Sequence, residues 1–77
     1  MDIEGYLAKT MRRIFKDDSL EITRDLTAEA VRSWDSLSHV QLILEIEKEF
    51  SIRFRTAEIG KLQNVGDLID TIYAKRA

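Results

Sequence analysis

The stretch Trp34-Asp35-Ser36-Leu37-Ser38-His39-Val40 lies near the middle of a 77-residue chain, between a long segment of weak periodicity and the most strongly helical run. Asp35 is a favoured N-cap, because its carboxylate can accept from the free N–H groups of a first helical turn. From Asp35 to Phe50, a turn of 100° per residue gathers Leu42, Ile43, Ile46 and Phe50 on one side, the expected core face. Leu37, Val40 and Leu44 fall elsewhere and form a second apolar stripe on the flank of Ser36. A helix in a small bundle needs one buried stripe. The second is either covered by the preceding segment or open to a partner. Ser36 lies off the core face, and Asp35 already serves as cap, so the Ser36 hydroxyl is free to reach solvent.

Working back toward the N-terminus, the segment from Asp17 to Trp34 carries scattered apolar anchors: Leu20, Ile22, Leu26, Ala30, Val31 and Trp34. A connection this long without structure of its own is uncommon in a compact domain, so the anchors imply that it packs over the helices. Ala28 to Val31 suits a short helical turn. Asp17, Asp18 and Ser19 end an earlier helix running from about Asp2 to Lys16. There Ile3, Leu7, Met11 and Ile14 make one apolar face at helical spacing, which Phe15 widens. Lys9, Arg12, Arg13 and Lys16 lie opposite, a solvated basic face or a dock for an acidic partner.

Toward the C-terminus, Ser51 to Arg55 alternates, but a lone strand has nothing to pair with. It is read as an extended loop with Ile52 and Phe54 tucked in. Thr56 is the expected cap of a short helix through about Lys61, with Ile59 and Leu62 as apolar contacts. Asn64 caps a last amphipathic helix, in which Val65, Leu68, Ile69 and Ile72 repeat at helical spacing and Asp67 sits in the first turn. Ala74 to Ala77 is expected to fray. The fold expectation is therefore all-α: a small bundle of three main helices plus one short helix, with a long loop between the first and second main helices.

Composition agrees with this and narrows the chemistry. The chain has no Pro and only three Gly, which favours helix. With no Cys, no disulfide can help a chain this small, and packing must carry its stability. Hydrophobic residues at 44% and charged residues at 34% suit a globular domain, and a net charge of −2 gives no basic excess to attract nucleic acid. No apolar run is long enough to insert in a membrane, and the N-terminus lacks the apolar core of a signal peptide. One His and no Cys make a poor metal site. The group Asp17, Asp18 and Glu21 is read as facing water. If the protein does thiol chemistry, the thiol must be added from outside.

Ser36 and His39, three apart on one helix, are close enough to touch. A hydrolase built on them lacks a pocket, an orienting third group and oxyanion donors. His39 points by wheel position toward the core and is read as a half-buried structural histidine. Trp34 is read as a packing residue that pins the loop to the helix start; contact with a group on Ser36 is the alternative. A phosphodiester on the Ser36 oxygen would meet the positive end of the helix dipole, worth about 0.3–1 kcal/mol.

At this point the chain resembles the acyl carrier protein family, including peptidyl carrier domains. The resemblance rests on Asp35-Ser36-Leu37 followed by Val40, on Leu42, Ile43 and Ile46, and on Glu47 with Glu49-Phe50. It extends over nearly the whole chain, in length, long first loop, short helix and final amphipathic helix. It implies one carrier domain, residues 1–77, with Ser36 as the attachment site of 4'-phosphopantetheine. A phosphopantetheinyl transferase would donate the group from coenzyme A with Mg²⁺. Acyl or aminoacyl cargo would then ride as a thioester, visiting loading and processing enzymes. The implied protein is a carrier and not an enzyme, most simply a monomer, in a bacterial cytoplasm. Asp35, Leu37, Val40, Gln41 and Leu44 match the partner-contacting positions.

Three departures stand out. Members serving bulk fatty acid synthesis present a strongly acidic second helix, whereas Ser38, His39, Gln41 and Lys48 here interrupt Glu45, Glu47 and Glu49. Trp34 stands where small residues are common. The basic face of the first helix, with Arg53 and Arg55, raises the net charge. These favour a dedicated carrier for a specialised lipid, polyketide or related pathway. The rival from another class is an unmodified helical adaptor that binds a partner through Leu37, Val40 and Leu44; it would tolerate loss of the Ser36 oxygen. A helix-turn-helix DNA binder fits poorly, because Glu45, Glu47 and Glu49 would repel phosphates.

Overall fold

The computed structural model describes residues 2–76. Four α-helices follow in order: α1 (Ile3–Phe15), α2 (Ser36–Phe50), α3 (Thr56–Gly60) and α4 (Val65–Arg76). A 3₁₀ turn, Ala28–Ala30, interrupts the connection between α1 and α2, where a short helical turn was expected. Among the described residues there is no strand; Ser51 turns the chain out of α2 in a left-handed conformation, and only Ile52 to Arg55 forms the extended link.

The core forms where the amphipathic faces of α1, α2 and α4 meet. Ile3, Leu7 and Met11 from α1, Leu42 and Ile46 from α2, and Val65 and Ile72 from α4 are wholly buried. Phe15 is buried and Ile14 only half-buried, the reverse of their expected ranking on α1. The cause is Trp34, whose ring lies against Phe15 with centroids 5.4 Å apart. Phe50 stays half-buried, edge-on to Tyr6 at 5.1 Å, and the Tyr6 hydroxyl donates to the Glu45 carbonyl at 3.2 Å. Ile52 and Phe54 are buried as expected. The Phe54 N–H donates to the Glu47 carboxylate at 2.8 Å, which ties the extended link back to α2.

The long connection packs down. Val31 and Trp34 are buried, and Leu20, Ile22 and Leu26 are partly so; Ala30, expected as a further anchor, is exposed. The radius of gyration, 11.4 Å, is close to the roughly 11.5 Å expected of a compact 77-residue domain, leaving no room for a trailing loop. Polar contacts reinforce the packing. Arg12 donates through Nε to the Leu20 carbonyl at 2.8 Å, and Arg24 grips both oxygens of Asp70 at 2.8 and 2.9 Å. The carbonyls of Leu26 and Arg24 accept from the N–H groups of Val65 and Gly66 at 2.9 and 2.7 Å. The loop thereby satisfies donors that the start of α4 leaves open. A Cβ at position 66 would lie 3.0 Å from the Arg24 carbonyl oxygen, so this approach favours glycine.

Helix ends follow capping chemistry, with two corrections. Asn64 caps α4 as expected, accepting from the Asp67 N–H at 2.8 Å. At α3, Thr56 is not the cap: it is the first helical residue, and Arg55 precedes it in extended conformation. Glu58 fixes that turn by accepting from the Arg55 N–H at 2.8 Å. The second correction concerns the C-terminus. Ala74 to Arg76 continues α4 rather than fraying, because Lys75 pairs with Glu58 at 2.8 Å and Arg76 lies over the Phe50 ring. Ala77, also expected to fray, lies outside the described residues.

Helices α1 and α2 both end in left-handed residues that are not glycine, Lys16 and Ser51, each with φ of 55°. This conformation costs an L-residue roughly 1 kcal/mol. Ser51→Gly is therefore expected to raise the urea midpoint, by up to about 1 kcal/mol of stability. In the same assay Ile46→Ala should cost about 2–5 kcal/mol, while Leu44→Ala, on the open face of the same helix, should stay within about 0.5 kcal/mol.

Candidate attachment site at the start of helix α2

The start of α2 is fixed by a reciprocal cap. The Asp35 carboxylate accepts from the Ser38 N–H at 2.9 Å, and the Ser38 hydroxyl accepts from the Asp35 N–H at 2.9 Å. Ser38 Oγ also donates to the Ser33 carbonyl at 2.7 Å. Its hydroxyl is buried and fully used. The Ser38 N–H holds the Asp35 carboxyl below its ordinary range, so Asp35 is ionised at neutral pH.

Ser36 is the first residue of α2 and is exposed. Of the three serines in the segment, Ser38 is consumed by the cap, Ser33 precedes the helix, and Ser36 alone combines exposure with a place in the first helical turn. Its hydroxyl stands where the helix dipole favours an anion. An attached phosphodiester fits here: the oxygen is accessible, and its attachment breaks no capping contact.

Trp34 and His39 form the wall beside it. Trp34 Nε1–H donates to His39 Nδ1 at 3.0 Å, and the rings stack with centroids 6.1 Å apart. The acceptor role of Nδ1 places the proton of the neutral ring on Nε2. Burial lowers the His39 pKa from its ordinary value near 6.5. His39 is thus the half-buried structural histidine expected from its wheel position, with Nδ1 committed to Trp34 rather than to Ser36. Trp34 is a packing residue, 9% exposed, and its edge also borders an open groove shared with Ala28, Asp35, Ser36, His39 and Leu62. Behind the groove, between His39, Leu62 and Leu68, lies a cavity of about 40 Å³, enough for a water molecule or so and too small for an acyl chain.

The second apolar stripe is open. Leu37, Val40 and Leu44 are 72%, 53% and 57% exposed, and Gln41 is exposed beside them. The 17–34 loop sends its apolar anchors into the core and leaves these three side chains uncovered. Ser38, read from sequence among the side chains that interrupt the acidic helix surface, is buried instead, while His39 is half-buried as its wheel position implied. Sequence reasoning also missed Ser38 as the residue that fixes the site, because the usual reciprocal cap carries Glu or Gln at that position. Among the described residues, no group of three or more His, Cys, Asp or Glu side chains is placed to hold a metal ion.

The solved structure of a holo acyl carrier protein from Geobacter metallireducens superposes with a TM-score of 0.89. The two sequences are 41% identical, over 97% of this chain and 86% of that one. No protein-family model matches. The chain belongs to the acyl carrier protein family. Its role is that of an acyl carrier and not of an enzyme, and the family's cofactor is a covalently attached 4'-phosphopantetheine.

Burial of His39 ties the site to pH. The folded pKa of His39 is depressed, so the stabilising neutral state is present above 6.5. As pH falls through that value toward the lower folded pKa, the unfolded chain takes up a proton that the folded chain resists. Urea midpoints should therefore drop between pH 7 and pH 5. The drop should be shallower in His39→Phe. Equal slopes in the two proteins would show that His39 does not carry the effect.

Proposed function

We propose that Ser36 carries the prosthetic group, and that the exposed face formed by Asp35, Leu37, Val40, Gln41 and Leu44 meets the enzymes that load and process the cargo. The single observation behind this reading is the division of labour among the serines. Ser38 holds the helix start, which leaves Ser36 as an exposed hydroxyl on a rigid first turn.

Each residue near Ser36 then has a task. Asp35 and Ser38 fix the backbone that presents the hydroxyl to a phosphopantetheinyl transferase. Trp34 and His39 keep the preceding loop from folding over it. When bound, 4'-phosphopantetheine would supply the thiol that this Cys-free chain lacks, holding acyl or aminoacyl cargo as a thioester. The open groove past Trp34 and Leu62 gives the arm a surface to lie on. Tethering raises the effective concentration of cargo at each partner without any new contact.

The exposed part of α2 favours a dedicated carrier in a specialised lipid, polyketide or related pathway over bulk fatty acid synthesis. With Ser38 and His39 turned inward, the open face reads Leu37, Val40, Gln41, Leu44 and Lys48. The carboxylates of Glu45 and Glu47 are engaged by Arg13 and by the Phe54 N–H. No helix among the described residues is long and apolar enough to cross a membrane.

Incubation with coenzyme A, Mg²⁺ and a broad-specificity phosphopantetheinyl transferase should add one phosphopantetheine by intact mass. Ser36→Ala should add none while keeping its helical circular dichroism. A folded wild type that several transferases leave unmodified would favour the helical adaptor that binds through Leu37, Val40 and Leu44.

A further inference from the structure

Leu44 separates two shallow grooves. One runs between α1 and α2 and is lined by Arg13, Lys16 and Glu45. The other lies at the C-terminal end of α2 and is lined by Glu47, Lys48 and Arg53. Four cations thus surround an apolar side chain, against two carboxylates. Both carboxylates already have work inside the fold. Glu45 pairs with Arg13 at 2.6 Å, and Glu47 accepts from the Phe54 N–H at 2.8 Å. Among the described residues, Lys16, Lys48 and Arg53 take part in no ion pair, and all three are exposed.

The Ser36 end of the helix has the opposite character, with Asp35 ionised and exposed. The open face of α2 is therefore polarised: negative beside the attachment site, apolar along Leu37, Val40 and Leu44, and cationic on both sides of Leu44. A docking surface complementary to that pattern must be apolar opposite Leu44 and acidic around it.

We propose that the Leu44 end of α2 docks an acyl-loading or processing enzyme whose surface offers an apolar pocket rimmed by Asp and Glu side chains. The inference rests on the carrier reading above and names the chemistry of its partner. Lys48 and Arg53 set the sign of the contact, with Lys16 on the far side of Leu44. Arg13 contributes indirectly, by withdrawing Glu45 from the contact.

A benzophenone photocrosslinker placed at position 44 of the full chain, irradiated in cells of the source organism, tests this. The adduct peptide is expected on an enzyme surface where Asp and Glu surround the linkage. Binding of that purified enzyme should then weaken roughly tenfold at low salt in the Lys48→Glu/Arg53→Glu variant. The difference should collapse near 1 M salt, where charges are screened beyond about 3 Å. No adduct, an adduct surrounded by Lys and Arg, or a double variant that binds as tightly as the wild type or more so would each overturn the inference. Intact mass of the wild-type chain recovered from the same cells separates the two claims. A chain without phosphopantetheine fails the carrier reading, and this inference with it. A modified chain with any of the overturning outcomes fails the acidic partner alone.

Discussion

The arrangement depends on one pair of reciprocal hydrogen bonds, between Asp35 and Ser38, at the place where the long connection from α1 becomes a helix. These bonds, with the contact from Ser38 Oγ to the Ser33 carbonyl, set the direction from which the chain enters α2. That direction brings Trp34 against Phe15 and within reach of His39. It also leaves Ser36 pointing away from the core. A cap of this kind contributes only about 1 kcal/mol, yet it decides which hydroxyl is presented and which is consumed. Capping energy and site geometry are here the same contact.

Helix α2 serves two purposes with its two apolar faces. Leu42, Ile43 and Ile46 hold the bundle together, and loss of any of them opens a cavity in a core that no disulfide reinforces. Leu37, Val40 and Leu44 contribute nothing comparable to stability, since they remain in water. Their exposure makes sense as a surface kept available for other proteins. The long connection makes that possible by packing elsewhere. It delivers its apolar anchors to the core and its Arg24 and Leu26 carbonyls to the start of α4, leaving the outer face of α2 bare. Charge follows the same logic: Glu45 and Glu47 serve α1 and the extended link, and the cations near Leu44 are left facing outward.

Much of this was legible in the residues, because the signals were local. The period of Leu42, Ile43 and Ile46 gave the core face, and Asp35 and Asn64 are caps by side-chain type. What escaped depended on distant chain segments. Whether the second stripe was covered could not be read from the wheel, since the answer lay in the route of a loop with weak periodicity. The capping of α4 by loop carbonyls is made by backbone atoms, and its one trace in the sequence is Gly66. Thr56 looked like a cap because threonine favours that position. The turn instead starts one residue earlier, where Glu58 can reach the Arg55 N–H. Ser38 hid for the opposite reason, as a reciprocal cap with serine in place of the usual acidic or amide side chain. The helical end of α4 was misjudged because the contacts of Lys75 and Arg76 with Glu58 and Phe50 are tertiary.

The attachment of the prosthetic group to one particular oxygen is the claim on which the functional account rests, and the chain offers a clean way to locate it. Cleavage after Arg32 and Lys48 releases a peptide that holds Ser33, Ser36 and Ser38 together. Tandem mass spectrometry of that peptide from the modified protein should place the phosphopantetheine on Ser36 alone. A group on Ser33 or Ser38 would contradict the account, because it would require the cap at the start of α2 either to be irrelevant to presentation or to open before the reaction.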